Sequence, residues 1–152
     1  AKADGPVAEG VDYVLWLGPA PVKPFNPNRF HRDFRWYWDY AGGMMTDMGV
    51  HVINLCQWAL GRELPRRVSS IGHVSVFDGY SDTPDTQTTI YDFADYTFTW
   101  EHHLKGELPP HGGQSGAWIC GVNGAVLIHQ GGWEVVPDPV SQALEAEKHE
   151  TT

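Results

Sequence analysis

The spacing of apolar residues along the chain divides it into one helical stretch and a series of strands. Residues 46–61, TDMGVHVINLCQWALG, are framed as a helix: Thr46 is a capping residue, Asp47 falls in the first turn where the helix dipole favours an anion, and Gly61 stands where helices end. After it the period shortens. Residues 66–77 carry Val68, Ile71, Val74 and Val76 in near-alternation, as a strand does, and a polar turn follows. Residues 86–93 and 97–103 flank Ala94, Asp95 and Tyr96 as a hairpin. Residues 117–122 and 125–129 flank Asn123 and Gly124, a strong short-range hairpin signal, and 134–136 add a last short strand. One helix packed on one face of a mostly antiparallel open sheet is an α+β fold.

The flanks read differently. Residues 1–10 are small and polar with no period, as in a linker or disordered segment, and Gly18, Pro19, Pro21, Pro24 and Pro27 make 18–28 an extended arm that must pack on something. The folded domain is expected over 11–141, with 142–152 a charged, helix-prone tail that has little to bury.

Composition narrows the partners. The 152 residues fit one globular domain, and a formal net charge of -9 argues against nucleic acid or an anionic membrane surface, leaving a neutral ligand as the easier fit. No apolar run approaches the roughly twenty residues of a membrane span, and the first ten residues carry no signal-peptide core, which gives a cytoplasmic expectation. The chain begins with Ala and not Met, so it reads as a segment whose true N-terminus is unseen. Cys56 and Cys120 show neither metal-ligand spacing nor a disulfide framework and read as small buried apolar residues. Four of the seven tryptophans lie in the first sixty residues, which points to a ligand or an interface there.

Candidate chemistry gathers between residues 29 and 51. Residues 29–40 mix aromatic rings with planar polar groups, the combination that stacks on a sugar face and bonds its hydroxyls. Arg29, Trp36 and Tyr40 are the substrate-binding candidates; the alternative is a Trp-rich packing segment under the proline arm. Asp47 and His51, four residues apart, would share one helix face, with Gly49 leaving that face open. An imidazole titrating near working pH can take a hydroxyl proton, and a neighbouring carboxylate can orient it; the same spacing also suits an ordinary exposed pair. His102 and His103 point to opposite faces of a strand, and with His73, His111 and His129 they match no zinc pattern, so no metal is expected. The glycine-rich 112–116 precedes a strand and reads as a mobile loop, not a phosphate cradle.

Ala41, Gly42 and Gly43 followed by Asp47, Gly49 and His51 resemble the GGGxxxDxGxH signature of the Gfo/Idh/MocA family of nicotinamide-dependent oxidoreductases, with the first glycine replaced by Ala41. WLGPAPVKPFNPNRFH at 16–31, PDTQ at 84–87 and CGVNGAVLI at 120–128 are similar to the substrate-binding domain of a bacterial branch of that family, and the similarity runs over 13–136. The resemblance implies a sugar, inositol or related polyol as substrate, Asp47 and His51 as catalytic residues, and association of copies through the sheet. Lys23 and Pro24 are similar to part of the family's Glu-Lys-Pro motif, but Val22 replaces the Glu and the match is rejected. No G-x-G-x-x-G follows a strand, so NAD or NADP and the family's catalytic lysine are expected from an N-terminal Rossmann domain outside this chain. By itself the chain is not expected to transfer hydride. Two other readings remain: a non-catalytic carbohydrate-binding or oligomerisation module, and part of a relative that uses NAD in glycoside cleavage by hydrolase or lyase chemistry.

Overall fold

The computed structural model describes residues 2–61, 63–77, 79–105, 116–129, 131–141 and 145–150. They divide into two compact units, Ala1–His51 with Glu63–Lys105, and Val52–Arg62 with Gly106–Thr152. The sequence drew a single domain over 11–141.

The first unit opens with segments tied together by side chains rather than by regular structure. Lys2 N–H donates to Asn28 Oδ1 at 3.1 Å, Asn26 Nδ2 to Asp4 Oδ1 at 2.7 Å, and Gly5 N–H to the Phe25 carbonyl at 3.0 Å. Residues 2–5, expected as linker, are thus held against the arm. Helix α1, Tyr13–Leu17, is capped by Asp12, which accepts from Leu15 N–H at 3.0 Å. It gives the arm its packing surface: the rings of Tyr13, Trp16, Phe25, Phe30 and Tyr40 meet pairwise at 5.2 to 5.5 Å between centroids.

A short 3-10 turn, Asp33–Trp36, then leads to the glycine pair. Gly43 has φ +69, and a Cβ there would lie 2.6 Å from Thr83 Oγ1, so the left-handed turn and the close approach both require glycine. The Gly43 carbonyl accepts from Thr46 and Asp47 N–H, starting a π-helical turn, Met45–Gly49, that runs into α2, Val50–Leu60. The helical path therefore begins before Thr46. The Thr46 hydroxyl is not its cap: it accepts from Gly42 N–H and donates to the Gly43 carbonyl, bracing the turn beneath it. Gly61, with φ +98, ends α2 as expected.

The strands are all antiparallel, and α+β describes the described residues, but they form two sheets rather than one run. In the first unit β1 (Arg67–His73), β2 (Thr86–Asp92) and β3 (Thr97–His103) lie in that order. The register puts Tyr91, Phe98, Thr89, Trp100 and His102 on one face, and the π turn packs there: Tyr91 Oη reaches Met45 Sδ at 3.6 Å, and the Gly49 backbone lies against the Trp100 ring. What covers this face is thus the turn that starts the helix. The opposite face is polar apart from Ile71 and Ile90, which are 73% and 46% exposed.

Strand β1 stops at His73, four residues short of the run its alternation predicts, because Ser75, Val76 and Phe77 give their N–H groups to the Asp85 carboxylate at 2.7 to 3.0 Å instead of to a neighbouring strand. Asp85 is fully buried, its own N–H bonds the His73 carbonyl, and its carbonyl accepts from Leu104. One side chain thus fastens the β1–β2 connection.

In the second unit, which holds α2 from Val52 onward, β4 (Gly116–Gly121), β5 (Gly124–His129), β6 (Gly132–Pro137) and β7 (Glu147–Glu150) form a meander. The β4–β5 hairpin turns at Val122 and Asn123, one residue earlier than expected. Gly124 opens β5 because the Val136 carbonyl passes where a Cβ would stand. The tail residues 147–150 are a strand and not a helix, since β6 offers a free edge whose backbone groups outweigh the local preference. Residues 142–144 and 151–152, most of the glycine-rich 112–116 and His111 lie outside the described residues. Cys56 is buried, and burial pushes its thiol up; Cys120 is exposed, against expectation, on the outer side of β4. No helix among the described residues is long and apolar enough to cross a membrane.

Candidate functional site

The described residues of the first unit bring Arg32, Asp33, Arg35, Trp36 and Asp47 around one open pocket of about 110 Å³. The 3-10 turn supplies Asp33, Arg35 and Trp36, Arg32 flanks it on the N-terminal side, and the π turn supplies Asp47. The Arg35 carbonyl accepts from Gly43 N–H at 2.9 Å, locking the two turns to each other. The Trp36 carbonyl is held from the far side by Asp82 N–H, Thr83 N–H and Ser81 Oγ. The 3-10 turn is therefore fastened to two other segments by hydrogen bonds to its carbonyls. Wider π winding is a frequent local distortion at functional positions.

Within the pocket, Arg35 Nε donates to Asp47 Oδ1 at 2.9 Å, with the two side chains 35% and 34% exposed. A second Arg35 nitrogen donates to the Arg32 carbonyl at 3.0 Å, and its guanidinium carbon lies 5.4 Å from the centre of the Phe34 ring. Spacing had paired Asp47 with His51. In the structure Arg35, twelve residues upstream, is the group bonded to Asp47, and the π turn replaces the α geometry that the four-residue spacing assumed. His51 is exposed near the start of α2, and no hydrogen bond or ion pair to it occurs among the described residues. Gly49 does not open a ligand face: it is buried, and a Cβ there would sit 3.3 Å from both Met45 Sδ and the Trp100 ring.

The other candidates separate. Trp36 lines the pocket with Asp47. Arg29 is occupied in the arm, donating to the Pro24 carbonyl at 2.7 Å and lying 3.6 Å from Asp4. Tyr40 packs its ring on Trp16 at 5.3 Å, and burial raises its hydroxyl pKa. Both pack within the arm, where Arg29 Nε and Tyr40 Oη are buried without a hydrogen-bond partner among the described residues. Arg35 had only its place in the aromatic segment to mark it, because its partner is not at any helical or strand spacing.

Two further polar groups under the π turn serve the fold. Trp100 Nε1–H donates to His102 Nδ1 at 3.1 Å, so the other ring nitrogen carries the hydrogen and donates to the Pro84 carbonyl at 3.2 Å. Burial lowers the His102 pKa and keeps the ring neutral. His103 faces the opposite way and is exposed, and no group of three or more metal-ligating side chains occurs among the described residues. Burial alone would raise the Asp85 carboxyl, but the N–H groups of Phe77, Ser75 and Val76 outweigh it and hold the pKa below the ordinary range.

No curated protein matches the chain significantly. A family model described as the oxidoreductase family, C-terminal alpha/beta domain, matches residues 2–127, which take in the arm, the pocket, the three-stranded sheet and most of the β4–β5 hairpin. The chain therefore belongs to the Gfo/Idh/MocA oxidoreductase family, as its C-terminal alpha/beta domain.

Proposed function

We propose that this chain is the substrate-binding domain of a nicotinamide-dependent oxidoreductase acting on a sugar, inositol or related polyol. The observation that carries the reading is the half-exposed Asp47 carboxylate, fixed by Arg35 in an open pocket beside Trp36, at a position of the family signature. Trp36 offers an apolar ring face to the C–H side of a sugar, and the carboxylate accepts from its hydroxyls. His51, exposed and unengaged among the described residues, is the base that takes the hydroxyl proton.

The described residues do not themselves fit a dinucleotide. Their strands are all antiparallel, with no βαβ unit and no glycine-rich strand-to-helix turn to receive a pyrophosphate. NAD or NADP belongs to other residues in this reading, and the chain's own work is to bind and orient the hydroxyl-bearing ligand and to move its proton. Association of copies through the open face of the three-stranded sheet is part of the same proposal, with Ile71 and Ile90 its exposed apolar residues.

Calorimetric titration with myo-inositol, D-glucose and related neutral sugars tests the reading. Saturable binding that Asp47→Asn weakens supports it; a chain that binds none of them, or an Asp47→Asn variant that binds like wild type, overturns it. In the assembled enzyme His51→Asn is expected to lower kcat by about 10² to 10⁴-fold.

A further inference from the structure

The Arg35–Asp47 pair is half-used. Arg35 spends Nε on Asp47 Oδ1 and one terminal nitrogen on the Arg32 carbonyl. Its remaining terminal nitrogen and Asp47 Oδ2 have no hydrogen bond among the described residues, and both side chains line the open pocket. A donor and an acceptor thus remain open on one ion pair in the pocket lining, the complement of a hydroxyl pair in which one oxygen accepts and the other donates. The charges point the same way: Arg32 and Arg35 are balanced in the lining by Asp33 and Asp47. A carboxylate or phosphate on the ligand would enter beside two existing carboxylates in a lining of no net formal charge, with no Coulombic advantage over a neutral ligand.

We infer that Arg35 is the positioning and specificity-determining residue of this site: it fixes Asp47, and with it forms one unit that reads an uncharged vicinal diol and rejects acidic sugars. The inference rests on the proposed function and deepens it. Arg35 differs in this from Arg29, whose guanidinium is turned to the backbone of the arm.

The test is a double-mutant cycle on the whole chain, read by calorimetry with myo-inositol, D-glucose and D-glucuronate. Wild type should bind the neutral ligands more tightly than glucuronate. Arg35→Ala and Asp47→Asn should each weaken the neutral ligands by about tenfold or more, the usual worth of a hydrogen bond to a charged group. The double variant should lose no more than the weaker single variant, because both changes dissolve the same pair. Asp47→Asn should also narrow or invert the preference over glucuronate, since it leaves the guanidinium unbalanced, a change that a merely structural role would not produce. Arg35→Gln, which keeps donors without charge, runs beside Arg35→Ala in case truncation prevents folding, and Arg35→Lys should not restore binding because it lacks the planar fork. Additive losses, an unchanged selectivity in Asp47→Asn, or a wild type that prefers glucuronate would overturn the inference while leaving sugar binding intact. A chain that binds none of the three instead overturns the proposed function, and this inference with it.

Discussion

Asp47 and Asp85 are both held by short hydrogen bonds in the same unit, and the contrast between them separates what shapes this chain from what it offers to a ligand. Asp85 is 0% exposed and its oxygens are filled by the N–H groups of Ser75, Val76 and Phe77. Asp47 is 34% exposed and has one oxygen on one guanidinium. A carboxylate saturated by backbone has nothing left to give a ligand, and removing it orphans several buried donors; a carboxylate with a free oxygen in an open pocket contributes little to the fold and is available for chemistry.

The largest expected effect follows from that difference. Asp85→Ala should destabilise the first unit by about 3 kcal/mol or more, since three N–H groups lose their acceptor at once. Denaturant midpoints check it. The Asp85 pKa is lowered by folding, so its contribution is complete above the ordinary aspartate range, at about 3.9, and is lost as the pH falls through the lower folded value. Acid unfolding should begin there in wild type and lose that component in the variant.

Gly43→Ala comes next, at about 2 kcal/mol, combining a left-handed backbone with a contact at 2.6 Å to Thr83 Oγ1. It should disturb both halves of the comparison, because Gly43 joins the Arg35 carbonyl to the start of the π turn. Thermal melting and sugar binding should therefore fall together.

His102→Leu should cost about 1 to 2 kcal/mol by leaving the Trp100 indole N–H buried without an acceptor. Burial lowers the His102 pKa, so the unfolded chain takes up the proton first as the pH drops below about 6.5, and wild-type stability declines from there until the folded value is reached. The variant should show a flatter decline over that window. The smallest effect belongs to Arg67→Ala: its bond to Asp92 is short, but the Arg67 side chain is 84% exposed, and the unfolding free energy from urea titration should change by no more than about 0.5 kcal/mol.

Much of the architecture was legible in the sequence because it is local. The end of α2 at Gly61, the β2–β3 hairpin and the antiparallel character follow from a terminal glycine and from alternation. The β4–β5 hairpin was legible to within one residue, and the close approach of Val136 to Gly124 comes from a third strand that the local signal does not contain. What was not legible depends on partners far apart in sequence. Strand β7 reads as helix-prone until the free edge of β6 is present, and β1 ends early only because Asp85 takes its backbone donors. The split into two sheets depends on which strands find each other, which alternation does not specify.

The site shows the same division. Asp47 and Trp36 were marked by residue type and signature, and the structure brings them to one pocket. Arg29 and Tyr40 carried the same aromatic and cationic signal and pack within the arm rather than in that pocket, a difference composition does not show. Arg35 was passed over because its bond to Asp47 spans two turns of different kinds.

The most direct test sets the two carboxylates against each other in one experiment: thermal melting and myo-inositol titration of Asp47→Asn and Asp85→Asn beside wild type. Asp47→Asn should melt within about 1 kcal/mol of wild type, as a half-exposed ion pair allows, and bind inositol at least about tenfold more weakly. Asp85→Asn should lose stability first and bind normally for as long as it stays folded. Asp47→Asn with unchanged inositol affinity, or with a loss of stability matching that of Asp85→Asn, would contradict the division of labour between them.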